Sequence, residues 1–459
     1  MKSTMQLNME HMKNGTANLE TIVSDRLSLI EKYHNYNAIV SCNKEQVIQQ
    51  ARELDAAIRS NNHVGELCGS IITVKDNLDV KGLSSTAGME KFKNNIAKED
   101  CPTVARLRRE GAIILGKTNM PAGAMDMQTF NNIYGRTSHP DFPEYTCGGS
   151  SGGGATAIKL GISDADIGND FMGSIRVPSH FCGIYGMIGT QKVLPYEQLV
   201  GGNPYGSTMS NILRIGIQAS SLQDLNTLFC ILANKNMIFP SSDSKTNIHI
   251  AYSEHCGELP LAQNYSLIFQ EFITKLSKTY PTSSIKETQV DFKKARDCFL
   301  KLLYGNMSTT LPSIVWIAMG PKMSNKLKDY LLQEEERERI INQLDLLYQD
   351  YDILLTPVTA SSAFPHILPK KMRGGQAIYD DMIIDGNKVP YSVANMGYTT
   401  PFSLSSSPVI VIPIGKTKEG LPLGIQVIGN RFHDLDLIKI ASILEETLGQ
   451  KLIMETDLL

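Results

Sequence analysis

The chain has 459 residues, of which 42% are hydrophobic and 20% charged. That is the composition of a globular protein and excludes a disordered, collagen-like or coiled-coil chain. Lys and Arg number 44 against 47 Asp and Glu, a formal charge of −3, so no net field draws the chain to nucleic acid or anionic lipid. The longest strongly apolar run, Val409 to Ile414, is far too short to span a bilayer. The opening MKSTMQLNMEHMKN has no apolar core and does not read as a secretion signal. Eight cysteines and nine histidines are scattered, with no Cys-x-x-Cys pair. They read as reduced thiols of a cytoplasmic protein, with no metal site.

In chain order, residues 16–60 read as helical, with Val47, Ala51, Leu54 and Ile58 on one stripe. IITVKDNLDV reads as a strand with a polar exit, Thr103 to Glu110 as a short basic helix, and AIILG as a strand. A polar stretch, Ser138 to Gly154, precedes a small-residue helix, Ala155 to Leu160. Ser220 to Asn234 is a helix capped by Ser220 or Ser221. From 247 onward strands and helices alternate. IHIAYS is a strand, Leu261 to Lys278 a helix, TQVDF a short strand and Lys294 to Tyr304 a helix. A charged helix covers 324–349. YDILLTP, VIVIPI and LGIQVIG are strands, and Asp434 to Leu448 closes the chain as a helix. The pattern predicts a single large α/β domain, with a mixed, mostly parallel sheet covered by helices on both faces.

Two motifs carry less than their patterns suggest. Gly111 to Thr118 fits G-x-x-x-x-G-K-[ST], but its middle residues AIIL form a strand, where a phosphate loop must turn. Gly148 to Gly152 fits the G-x-S-x-G elbow around Ser150, with His433 as the candidate partner. The preceding SHPDFPEYTC is polar with two prolines, where an elbow needs a buried strand.

A third constellation is more specific. Lys75 lies in Val74-Lys75-Asp76-Asn77, and Ser150 and Ser151 lie in the run Cys147 to Ala155. Twenty-four residues after Ser150 comes Ser174, in Gly173-Ser174-Ile175-Arg176-Val177-Pro178. With GAIILGKTNMPAGAM, FCGIYGM, YDILLTP and VIVIPIGKTKEGLPLGIQVIGNRF, these motifs resemble the amidase signature family of Ser-Ser-Lys hydrolases. The likeness extends over nearly all of 1–459. It divides the chain into a helical part (1–65), a catalytic core (66–215) and a variable substrate-side segment (235–345).

The resemblance implies Ser174 as nucleophile, Lys75 as base and Ser150, with a cis peptide bond, as the bridge between them. Ser151 would be a supporting hydrogen bonder. Backbone N–H groups of Phe171, Met172, Gly173 and Ser174 would hold the oxyanion. No cofactor or metal is implied, and the partner is a small-molecule amide, with a homodimer compatible. The chemistry agrees, because serine needs a base and a lysine must be buried to act as one near neutral pH. Asp170 and Arg176 read as a pair bracing the nucleophile loop, and Asn131 as a further brace. Trp316 with Met307, Ile314, Ile317 and Met319 reads as core more readily than as an acyl pocket.

The sequence departs from the family at three places. Phe171-Met172 replaces small residues before the nucleophile, Cys147 replaces a proline, and Met187-Ile188-Gly189-Thr190-Gln191 lacks the usual lysine-proline-threonine. A positive φ at 172 would strain methionine and distort the oxyanion site. Three functions remain open: an amidase, a transamidase A-type subunit supplying ammonia for tRNA-bound glutamate, and a non-catalytic amide binder. No arginine motif for a glutamine carboxylate stands out in 300–345, where Arg337 and Arg339 read as solvated in a glutamate-rich helix.

Overall fold

The computed structural model describes residues 3–60, 62–195, 212–239, 248–280, 284–288, 292–308, 327–373 and 376–448. Eleven strands make one sheet. They are β1 (Ile39–Ser41), β2 (Ile71–Lys75), β3 (Ile113–Thr118), β4 (Ala165–Asp170), β5 (Tyr185–Ile188), β6 (Arg214–Ala219), β7 (Ile250–Tyr252), β8 (Ile285–Glu287), β9 (Ile353–Pro357), β10 (Val409–Lys416) and β11 (Pro422–Gly429). Their spatial order is β1-β3-β2-β4-β6-β5-β10-β11-β9-β7-β8.

The sheet is mixed. The parallel character expected from alternating strands and helices holds in two flanking groups, β3-β2-β4 and β9-β7-β8. Between them β4, β6, β5, β10, β11 and β9 pair antiparallel in succession, as does the edge strand β1 with β3. Antiparallel neighbours need no crossover helix, which is why the β10-β11 pair follows in sequence with a short turn.

Both faces are buried, as the unbroken apolar strands require. Ile410, Ile412, Ile425, Val427, Ile353 and Leu355 pack one core with helices Leu222–Leu232, Gln263–Thr279 and Asp434–Leu448. Their alternates Val409, Ile428 and Leu354 pack the other with Tyr398 and Phe402. This is the period-two geometry of a strand.

The expected helices occur with small shifts at their ends, and Ser221 caps its helix by accepting from Asp224 N–H at 3.0 Å. Residues 16–60 hold two helices, Leu19–Lys32 and Lys44–Arg59, with β1 between them. Of TQVDF, residues 289–291 lie outside the described residues. Phe292 opens a helix and the strand is the preceding Ile285–Glu287. Ile314, Trp316, Ile317 and Met319 also lie outside the described residues. Gly111 to Thr118 runs straight into β3, so the phosphate-loop pattern is a strand.

The central strands β4, β5 and β6 had no clear signature in the sequence. β4 carries Asp166, Asn169 and Asp170 with a glycine, all buried. These buried polar residues, bonded to Thr73, Thr118, Lys75 and Arg176, mask its place at the centre of the sheet. Among the described residues no helix is long and apolar enough to cross a membrane. None of the eight cysteines is joined in a disulfide.

Candidate active site

Lys75 ends β2, on the face opposite Ile72 and Val74. Its ammonium group is fully buried. Nζ lies 2.7 Å from Ser150 Oγ, 3.0 Å from Asn169 Oδ1 and 3.4 Å from the Asn169 carbonyl oxygen. Burial lowers its pKa to about 7, against the opposing pull of Asp166 and Asp170. Asp166 is pushed up to about 7 by burial, although Thr73 and Thr118 hydroxyls donate to it at 2.8 and 3.0 Å. Near neutral pH the lysine is therefore poised between its two charge states.

Ser150 follows a cis Gly149–Ser150 peptide bond. Ser151 N–H donates to the Ser174 carbonyl at 3.0 Å, tying the two serine-bearing turns together. Ser150 and Ser151 are fully buried and Ser174 nearly so. Gly168, on β4 beside Lys75, leaves room for both groups. A Cβ there would stand 2.7 Å from Ser151 Oγ, 3.1 Å from Ile175 Cδ1 and 3.4 Å from Lys75 Cδ. Gly168→Ala should cost about 1–3 kcal/mol of stability. It should also slow reaction of Ser174 with a fluorophosphonate more than the melting point alone explains, which a denaturation curve and a labelling time course together measure.

The turn from Phe171 to Ser174 is held from below. Asp170 accepts from Gly173 N–H at 2.8 Å, Ile175 N–H at 3.0 Å, and Arg176 Nε and Nη2 at 3.1 and 2.8 Å. Burial pulls the Asp170 pKa up, but Arg176 and these bonds outweigh it and hold it at about 2. Arg176 also reaches the Thr399 carbonyl (2.7 Å), Gln426 Oε1 (3.1 Å) and Ser403 Oγ (2.7 Å). The Asp170–Arg176 pair is thus the brace its residue types suggested.

Positive φ falls on Gly173 (120°), while neither Phe171 nor Met172 has one. The expected strain at 172 is absent, because the left-handed residue is the glycine. Phe171 meets Phe299 edge-on at 5.4 Å, and Phe171 and Met172, like Met125, Leu213 and Leu300, pack against the cluster that Phe299 forms with Ile212, Leu302 and Leu404. These bulky residues therefore link the Phe171–Ser174 turn to the helix Phe292–Ser308.

Other candidates lie elsewhere. His433 immediately precedes the last helix, 3.2 Å from Asp436 with its ring tilted against Phe239, whereas Ser150 has Lys75 as its partner. Asn131 accepts from Ile133 and Tyr134 N–H and donates to Asn119 and Met120, so it braces its own turn. Arg339 is exposed as expected. Arg337 is not: its side chain is 11% exposed and donates to the Leu404 carbonyl and Ser406 Oγ. The helix packs on 404–406 there, which the glutamate-rich run concealed. Asp166 and Asn169 sit on β4 beside the lysine, yet nothing in their spacing singled them out. Among the described residues no His, Cys, Asp or Glu cluster could hold a metal ion.

The Amidase family pattern matches residues 22–304 and 286–438, and the chain belongs to this family. It is 26% identical to the A subunit of the glutamyl-tRNA(Gln) amidotransferase of Saccharolobus solfataricus, over 95% of each chain. It is 27% identical to an acylamidase of Rhodococcus erythropolis, over 88% of this chain and 87% of that one. A crystal structure of an amidase superposes with a TM-score of 0.83 at 23% identity, covering 98% of this chain and all of the other.

Proposed function

We propose that the protein hydrolyses a carboxamide C–N bond through an acyl-enzyme on Ser174. The supporting observation is the fully buried Lys75, 2.7 Å from Ser150, on a turn joined by hydrogen bond to Ser174. Ser174 Oγ attacks the carbonyl carbon. Its proton passes to Ser150, and the Ser150 proton to neutral Lys75. The relay runs backward to protonate the departing amine. Water then attacks the ester with the same help and releases the acid.

The oxyanion is held by backbone N–H groups of the Phe171–Ser174 turn. Because Gly173 N–H is taken by Asp170, that role falls to Phe171, Met172 and Ser174. Ser151 supports the turn through its N–H.

Intact mass after treatment with a small fluorophosphonate tests this reading. One adduct, mapped to Ser174 and absent in Lys75→Ala, is expected. An adduct on Ser150, or none in the folded protein, overturns it. The full-length likeness to the A-type component of an amidotransferase favours a second reading, release of ammonia from glutamine. A glutaminase assay of the chain alone and with partner proteins of that kind separates the two.

A further inference from the structure

The loop Met125 to Gln128 is wedged between the two serine-bearing turns. The Asp126 carbonyl presses on Gly149, where a Cβ would come within 2.6 Å of it. Met125 packs in one apolar cluster with Phe171 and Met172, and Met127 in another with Met172 and Val177. The loop therefore borders the place where a substrate carbonyl must lie.

Asp126 is the acid of that loop. Oδ1 accepts from Met127 N–H (2.7 Å), Gln128 N–H (3.3 Å) and Tyr391 Oη (2.9 Å), and Oδ2 accepts from Tyr379 Oη. The two tyrosine rings stack at 4.2 Å. Burial raises the Asp126 pKa and the four donors oppose it, while Arg136 acts on Tyr379 behind them; among the described residues Asp126 makes no ion pair. A carboxylate has about four acceptor positions, so Oδ2 retains room for a further donor. Met125, Asp126, Phe171, Met172, Tyr379 and Tyr391 are all partly exposed, although the serines beneath them are buried.

This gives a mostly apolar surround with one carboxylate that, among the described residues, is held by neutral donors and not by a paired cation. A protonated amine satisfies it: it offers up to three donors, and stacked phenol rings favour a nearby cation. We propose that Asp126 is a specificity-determining residue that binds an ammonium group of the substrate. The substrates are then amides that join an apolar part to an amine-bearing part. The inference rests on the amidase reading above.

The test uses matched pairs. One is an ω-aminoacyl p-nitroanilide and its ω-methyl isostere. The other is an N-(ω-aminoalkyl) amide and its N-alkyl isostere. Two quantities are read for each compound: kcat/KM, and protection of Ser174 from fluorophosphonate labelling. The ammonium member of at least one pair is expected to be favoured about tenfold or more, the scale of a charge-assisted hydrogen bond. Asp126→Asn should bring that ratio close to one, while Tyr379→Phe, which keeps the charge, should preserve most of it.

Equal behaviour of the two members of both pairs in the parent overturns the proposal. So does an Asp126→Asn protein that loses both members of a pair equally together with thermal stability, since the carboxylate is then a clamp between 126–128 and 379–391. Absence of the Ser174 adduct in the parent instead marks failure of the amidase reading, and this inference falls with it.

Discussion

Lys75→Met and Ser174→Ala should each lower kcat/KM for any amide substrate by about a thousandfold or more, the range seen when a member of a nucleophile–base unit is removed. The double variant should be little worse than either single one, because groups that act as a unit lose their effect together. Lys75 is the more informative position. Its ammonium lies in the interior, and burial lowers its pKa to about 7. The lysine must be neutral to take a proton, so kcat/KM of the parent should rise as pH increases through about 7 and then level off. Asn169 is the neutral acceptor that touches Nζ. Asn169→Asp places a negative charge there, favours the ammonium form, and should move that rise to higher pH. Methionine fills the space of the lysine stem without a buried charge, so Lys75→Met should remain folded. A pH–rate profile of the parent and of Asn169→Asp, with a thermal melt of each variant, checks all of this. A flat profile between pH 6 and pH 8, roughly a unit either side of the expected value, would remove Lys75 from the role of base.

The site was legible in the sequence where chemistry needs particular residue types at fixed separations. Lys75, Ser150 and Ser174 stand in three short motifs, and the structure places these on the end of β2 and on two turns that meet. Strands β9, β10 and β11 were legible because both faces are apolar. The strand β4 was not. Its Asp166 and Asn169 find partners far off in sequence, in Thr73 and Lys75, and a local hydrophobic pattern cannot report such partners. Arg337 failed for the same reason, since the carbonyl it reaches is 67 residues away. Asp126 was unreadable too: its tyrosines lie more than 250 positions downstream. The strain expected at Met172 was a question of which residue carries the positive φ, and one neighbour decides it.

Arg176→Met should be the most damaging substitution for stability, at about 3–5 kcal/mol, the cost of leaving a buried charge without its partner. Arg176 is wholly buried and donates to both oxygens of Asp170, to the Thr399 carbonyl, to Gln426 and to Ser403. Its loss strands several acceptors at once, whereas the methionine replaces little beyond the stem. Part of the penalty depends on pH, and its sign is fixed. The folded Asp170 pKa, held at about 2, lies below the ordinary value of 3.8. The pair therefore contributes stability that is fully present above pH 4 or so and is lost as pH falls toward about 2. Without Arg176 the Asp170 pKa rises, so the variant's deficit should shrink as the medium is acidified. Asp170→Asn in the Arg176→Met background removes the stranded charge and should recover part of the loss, a coupling that a double-mutant cycle isolates. Activity should not return with stability. Asp170 Oδ1 also takes the Gly173 N–H, and an asparagine offers that N–H a neutral and weaker acceptor. Urea denaturation across the acid range, run beside fluorophosphonate labelling of Ser174, separates the two effects. If the double variant regains both fully, the pair is a dispensable buried charge. If it regains stability alone, Asp170 and Arg176 exist to hold the turn on which Ser174 stands.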